Sequence, residues 1–269
     1  AHDFIRALRM SKNIFLLGTD IKKTNNSYFL DSFELISDPK KDSDKYIKRL
    51  VYLCKKYKIN FILPGSDNEC IEISRHYKIL EKMKVKTSVS EFDVLKKIID
   101  KNLLFKHLKS NSIEVGNWSV INSIKQLRKI SLDMGYPKKK LIIKPRTGSG
   151  SKGVIILDSK INKFVYLLSD NKRFCGTGSI KAIQNELRKK NKNLSRYFIM
   201  PYYNYNTFDV DCIAQKGNMR VCVPRLRTYQ NPLSPTNEGC KIMNNRKIIN
   251  YCKKIIKILN IDGVCDFDI

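Results

Sequence analysis

Apolar positions along the chain follow two periods, and the places where one gives way to the other mark out its elements. Ser43 to Lys58 sets Tyr46, Leu50, Leu53, Cys54 and Tyr57 at helical spacing. Arg246 to Leu259 turns Ile248, Ile249, Cys252, Ile255, Ile256 and Leu259 to one side, as an amphipathic helix does. Further helices are expected from Phe4 to Met10, from Ser90 to Asn111 as one region continuing through Asp100 and Lys101, from Ile124 to Met134, and from Lys160 to Leu168. Short apolar or alternating runs predict strands at 13–17, 60–64, 119–121, 197–200, 208–214, 219–223 and 263–269. Asn171 to Asn193 is polar and basic and shows no clear period.

The rhythm of strand, helix and strand over the first third describes a small open-sheet domain spanning residues 1–90. Its first expected strand, Asn13 to Leu17, closes on Gly18-Thr19-Asp20. A polar turn at the C-terminal edge of such a strand is either a ligand-binding position or an ordinary loop.

Composition narrows the classes. The chain has 269 residues, 42% of them apolar, enough for two domains with real cores. No apolar run approaches the roughly 18 residues that would cross a bilayer, so no membrane partner is expected. The net charge of +27, from 52 Lys+Arg against 25 Asp+Glu, would fit nucleic acid. The basic residues are nevertheless spread from end to end, which favours compositional drift over a dedicated patch. Eight cysteines form no Cys-x-x-Cys pair and no zinc-type cluster with the three histidines. Buried reduced thiols and a cytoplasmic location are the corresponding expectations.

One stretch carries chemistry. Leu141-Ile-Ile-Lys144-Pro-Arg-Thr-Gly148-Ser149-Gly150-Ser151-Lys152-Gly153-Val-Ile-Ile-Leu157 reads as strand, glycine loop, strand. Glycines let backbone N–H groups approach a phosphate, and the lysines neutralise it. A dinucleotide fingerprint needs a helix after the third glycine, and a Walker-A loop needs Lys-Ser or Lys-Thr there; Val154 begins an apolar run instead. A glycine flap over phosphates and a plain hairpin both remain open. Lys144 favours the former, because a lysine interrupting an apolar strand is costly unless its head meets an anion.

The order of pieces resembles the ATP-grasp superfamily, most of all the branch with carbamoyl-phosphate synthase large chains, biotin carboxylase and carboxylate–amine ligases. The resemblance rests on Gly18-Thr-Asp20, Pro64-Gly-Ser-Asp67-Asn-Glu69, Asp100-Lys101, Lys144 with the glycine loop, Met200-Pro201-Tyr202-Tyr203, Asp209-Val-Asp211, Pro224-Arg225-Leu-Arg227 and Gly263-Val-Cys-Asp-Phe-Asp268. It implies an α/β and α+β fold. An open-sheet pre-ATP-grasp domain over 1–90, lacking its first strand, precedes a two-lobed ATP-grasp fold over 91–269, lacking its C-terminal part.

By this resemblance, ATP with Mg2+ (or Mn2+) lies between the lobes. Lys101, Lys144 and the loop Gly148, Ser149, Gly150, Ser151, Lys152 and Gly153 contact its phosphates. Met200, Pro201, Tyr202 and Tyr203 form the adenine hinge, with Ile142 and Tyr202 as apolar walls and the amide of Tyr202 or Tyr203 as donor. Asp209 or Asp211 lies near the ribose. Arg225 and Arg227 act on the transferred phosphate and the acyl substrate, and Asp268 is a metal ligand. The partners implied are a small-molecule carboxylate and a nucleophile, with room for a homodimer. Met200-Pro201 stands where the family has a hinge carboxylate or amide, and Thr207 where it often has an acidic ribose contact. The second metal carboxylate and a Glu-x-Asn-Pro-Arg segment are expected after Ile269, so the chain is expected to be a piece of a longer ligase, inactive alone. A carbamoyl-phosphate-synthase module acting on bicarbonate or carbamate, and a basic nucleic-acid-binding protein, are the alternatives.

Overall fold

The computed structural model describes residues 2–11, 13–148, 153–166, 175–203, 206–228 and 239–269. It divides into two compact units, Ala1–Leu95 with Ile261–Val264, and Lys96–Asn260 with Cys265–Ile269.

The first unit runs α1 (His2–Arg9), β1 (Leu17–Asp20), β2 (Ser32–Leu35), α2 (Ser43–Lys56), β3 (Phe61–Ile62), α3 (Asp67–Arg75), α4 (Tyr77–Lys82) and β4 (Lys86–Thr87), and α5 (Phe92–Ile99) begins in it. Its strands pair in parallel, β1 with β2 and β3 with β4. The apolar stripe of α2 supplies the core, where Tyr46, Ile47, Leu50 and Cys54 pack with Ile36, Ile73, Leu80 and Val85. Asp42 starts that helix by accepting the Lys45 amide, and Ser66 starts α3 by accepting the Glu69 amide.

Two sequence expectations shift here. The first strand is Leu17–Asp20, so Gly18-Thr19-Asp20 is strand rather than turn. The Leu16 amide donates to the Asp31 carboxylate at 2.7 Å while its carbonyl accepts the Asp31 and Ser32 amides, and Ile14 and Phe15 are exposed. The single helix expected from Ser90 to Asn111 is two, α5 and α6 (Lys101–Ser110). Asp100 between them is extended, and its carboxylate accepts the Asn102 and Leu103 amides that open α6.

The second unit continues with β5 (Ser119–Ile121), α7 (Ile124–Asp133), β6 (Leu141–Pro145), β7 (Ile155–Leu157), β8 (Val165–Tyr166), β9 (Gly176–Gly178), α8 (Ile180–Lys189), β10 (Tyr197–Pro201), β11 (Phe208–Gln215), β12 (Asn218–Arg227), β13 (Cys240–Ile242), α9 (Arg246–Leu259) and β14 (Gly263–Asp268). It holds a six-stranded sheet in the order β5-β10-β6-β7-β9-β8 and a four-stranded sheet in the order β13-β12-β11-β14. Leu127 of α7 and Ile183 and Leu187 of α8 cover one face of the larger sheet, packing with Ile121, Leu141, Ile143, Ile155, Leu157 and Ile199. Strand alternation turns Ile142 and Lys144 to the opposite face. Phe198, the register partner of Lys144, there meets Phe105 of α6 edge-on at 5.8 Å.

The helix expected from Lys160 is also corrected. Val165 and Tyr166 pair antiparallel with β9, and the Phe164 ring fills the space a side chain at Gly176 would need. Leu167 and Leu168 lie outside the described residues. The polar stretch without a period contains α8, capped by Ser179.

Candidate nucleotide and metal site

The hairpin around the glycine loop forms as its two apolar runs require, with Leu141 opposite Leu157, Ile142 opposite Ile156 and Ile143 opposite Ile155. A strand therefore follows the third glycine. Gly148 and Gly153 both have positive φ, and a side chain at Gly153 would collide with the Pro145 ring. Ser149, Gly150, Ser151 and Lys152 lie outside the described residues. The first residue of α6 is fastened to this turn: the Lys101 amide donates to the Arg146 carbonyl at 2.8 Å, and its Nζ donates to the Gly148 carbonyl at 2.7 Å. Asp100 beside it pairs with the Arg146 guanidinium. Burial pulls the Asp100 carboxyl upward, and Arg146 with the Leu103 and Asn102 amides outweighs it, leaving the group below its ordinary value.

On the face of the larger sheet that carries Lys144, Ile142, Val154, Ile156, Met200 and Tyr202 form one apolar cluster. The Tyr202 amide donates to the Lys140 carbonyl at 3.0 Å, extending the ladder between β10 and β6. Pro201 has no N–H, so of the two hinge amides considered, Tyr202 is already engaged. The Tyr203 hydroxyl comes so close to Gly116 that a side chain there would clash with it. Burial lowers the pKa of Lys144; Asp268 opposes that shift and Arg227 adds to it, so both groups stand close enough to act on its charge.

The smaller sheet supplies the charged wall. Period-two alternation places Asp209 and Asp211 of β11, Arg225 and Arg227 of β12, and Asp266 and Asp268 of β14 on one face. Register sets Asp209 opposite Arg225 and Asp211 opposite Val223. The ion pairs run one step diagonally instead, a span that long side chains reach. Arg225 holds Asp211 at 2.6 and 2.9 Å. Arg227 holds the buried Asp209 through Nε at 2.8 and 3.0 Å and through Nη2, and Nη2 also donates to Asp268 at 2.8 Å. The two carboxylates expected near a ribose are thus engaged by the two arginines expected at the transferred phosphate.

Carboxylate oxygens of Asp209, Asp266 and Asp268 lie within 4.8 Å of one another. Burial, then the charges of Asp268, Asp211 and Asp209, push the Asp266 carboxyl up to about 6. Three converging hard oxygen donors whose mutual repulsion a dication would relieve suit magnesium. Asp266 was not among the expected site residues, although its position two residues before Asp268 on the same strand face was a readable signal. Among the described residues, then, the fold gathers Lys144, Asp209, Arg227, Asp266 and Asp268, with Asp211 and Arg225 alongside. It joins Lys101 to Gly148, and Met200 and Tyr202 to Ile142.

No family model and no curated protein matches the chain. Solved structures do. The biotin carboxylase domain of 2-oxoglutarate carboxylase from Hydrogenobacter thermophilus, a dimer in complex with MgADP, ADP and bicarbonate, aligns over 99% of this chain with a TM-score of 0.64 and 14% identity. L-amino acid ligase from Bacillus licheniformis aligns over 98% with a TM-score of 0.65 and 11% identity. Biotin carboxylase from Campylobacter jejuni, in complex with β-γ-ATP, aligns over 98% with a TM-score of 0.64 and 15% identity. The chain spans 58% or 59% of the length of each of these proteins. Likeness at these identities establishes the fold, and the fold is that of the ATP-grasp enzymes. Among the described residues no helix is long and apolar enough to cross a membrane.

Proposed function

We propose that this chain is the nucleotide-binding part of an ATP-dependent, ADP-forming ligase that activates a carboxylate as an acyl phosphate for attack by an amine or another nucleophile. The observation that carries the reading is Lys144: a desolvated ammonium next to an apolar cluster, facing Arg227 and Asp268 of the other sheet. A cation held out of water gains most from an anion brought to it. Transfer of a phosphoryl group demands positioning and charge neutralisation more than a covalent nucleophile.

In this arrangement Lys144 binds phosphate oxygens, and the apolar cluster around Ile142 and Met200 receives the base. Arg227, anchored by Asp209, presents its remaining capacity toward the transferred group. Asp209, Asp266 and Asp268 would hold magnesium, which when bound neutralises phosphate charge. Lys101, by fixing the Gly148 carbonyl, sets the base of the glycine loop. Bicarbonate accompanies MgADP in the Hydrogenobacter structure, so bicarbonate stands among the acids to test.

The test is thermal unfolding with and without Mg-ATP. A specific site saturated at a hundredfold excess over Kd stabilises by about 2.7 kcal/mol. No stabilisation by Mg-ATP or Mg-ADP overturns the proposal, and salt-sensitive binding of DNA or RNA in its place identifies a nucleic-acid binder. ADP release that depends on an added acid then identifies the substrate class.

A further inference from the structure

The face of the four-stranded sheet opposite the aspartates and arginines carries a second constellation. Cys212 of β11 and Cys222 of β12 are register partners. Cys252 projects onto them from α9, which packs on β12. The three sulfurs all lie within 4.8 Å of one another. Cys265 lies on β14, the strand beside β11, and Cys212 and Cys265 act on each other's ionisation. Three separate elements thus bring three thiols to one point, and a fourth element sets Cys265 on the strand next to them. The remaining cysteines, Cys54, Cys70, Cys175 and Cys240, enter no such group among the described residues.

Alternation explains the separation from the nucleotide site. Cys212 follows Asp211, and Cys265 precedes Asp266, so the thiols point to the α9 side of the sheet while the carboxylates point away. In the sequence the four cysteines are 10, 30 and 13 positions apart, which is why spacing alone showed no zinc-type cluster.

We propose that Cys212, Cys222, Cys252 and Cys265 form a tetrathiolate site for zinc that clamps α9 to the four-stranded sheet. A tetrahedral zinc with Zn–S bonds of about 2.3 Å sets its sulfurs about 3.8 Å apart. The sulfurs of Cys212, Cys222 and Cys252, already within 4.8 Å of one another, reach that spacing by small side-chain torsions, and Cys265 completes the set by a change of rotamer. Soft thiolates select zinc over magnesium, so the two faces of the sheet discriminate between metals by donor type. On binding, the four thiols release their protons to solvent and four Zn–S bonds form, leaving a complex of charge −2. Cys212 and Cys252 are buried, whereas Cys222 and Cys265 are only partly so and give the ion its way in.

The experiment uses the purified protein under reducing conditions. Zinc measured by mass spectrometry against protein concentration is expected at one equivalent per chain, released by a mercurial that titrates thiols. Exchange with cobalt is expected to give sulfur-to-cobalt charge-transfer absorption and the strong visible bands of tetrahedral coordination, which reads the site without any substitution. Cys222→Ser, at a partly exposed position, should lower retained zinc at least tenfold, and Cys70→Ser should leave it unchanged. Metal-free protein that takes up no cobalt overturns the proposal. So does a mass lower by two hydrogen atoms for each thiol pair, the signature of disulfides in place of a metal. Mg-ATP binding is measured independently, so failure of one assignment is distinguishable from failure of the other.

Discussion

On the six-stranded sheet, Lys144 stands on an apolar face and makes no ion pair among the described residues; on the four-stranded sheet, Arg225 and Arg227 are each locked to a carboxylate. The cations answer different needs. Arginine's planar fork matches a carboxylate with two bonds, so it tolerates burial when Asp209 and Asp268 surround it. Lysine is a compact point charge that loses hydration in the same setting, and burial accordingly lowers its pKa. One sheet holds a charge already balanced by its own residues, the other a charge poised for a ligand. Substitutions on the first should therefore register in folding, and on the second in binding.

The largest effect is expected at Arg227. Arg227→Met strands the Asp209 carboxylate, which is 2% exposed, and removing one partner of a buried pair costs about 3–5 kcal/mol. Urea unfolding measures it. Adding Asp209→Asn should restore more than half of the loss, because the buried charge goes with its partner. A cost below about 1 kcal/mol for the single variant would show that Asp209 does not depend on Arg227 and would erase the contrast between the sheets.

Lys144→Met gives the opposite signature. Removing a desolvated ammonium from an apolar face should leave unfolding stability of the free protein unchanged or raise it. Loss of a charge-assisted contact worth about 1.5–3 kcal/mol should weaken Mg-ATP roughly 10- to 150-fold. Calorimetric titration beside thermal unfolding separates the two. A variant that is less stable yet binds Mg-ATP normally would make Lys144 a structural residue and withdraw the main support for the nucleotide site.

These contrasts were only partly legible beforehand. Helices α2 and α9 and the hairpin of β6 and β7 follow from local patterns, because their apolar residues alone decide which face is buried. Misplacements arose where a distant partner decides: the Asp31 carboxylate takes the Leu16 amide just before β1, and Arg146, far along the chain, favours Asp100 as a cap rather than a helical residue. Helix α8 hides among lysines and asparagines, with Ile183 and Leu187 as its buried anchors. At the site, Asp209, Arg227 and Asp268 could be named from the sequence, but their partners could not. Diagonal pairing depends on strand register, which a sequence does not display. The thiol cluster depends on the same register and on the seating of α9, so eight scattered cysteines looked alike.

The smallest effect lies at Asp100, the cap of α6, which forms a balanced pair with Arg146 just after β6 and so tests the contrast beside the larger sheet. Asp100→Asn keeps an oxygen to accept the Asn102 and Leu103 amides, so α6 retains its cap, and only the charge facing Arg146 is lost. The wild-type carboxyl lies below its ordinary 3.8 in the folded protein, so the unfolded chain binds more protons as the pH falls. Its contribution is therefore present at neutral pH and is lost as the pH drops through the folded value, below 3.8. The variant should be less stable than wild type by about 1 kcal/mol at pH 7, a difference that closes in strong acid. Urea unfolding of both proteins from pH 7 to about 2 measures the gap. A gap that stays constant would mean the asparagine has disturbed the cap rather than the charge, and Asp100 would then hold α6 by hydrogen bonding alone.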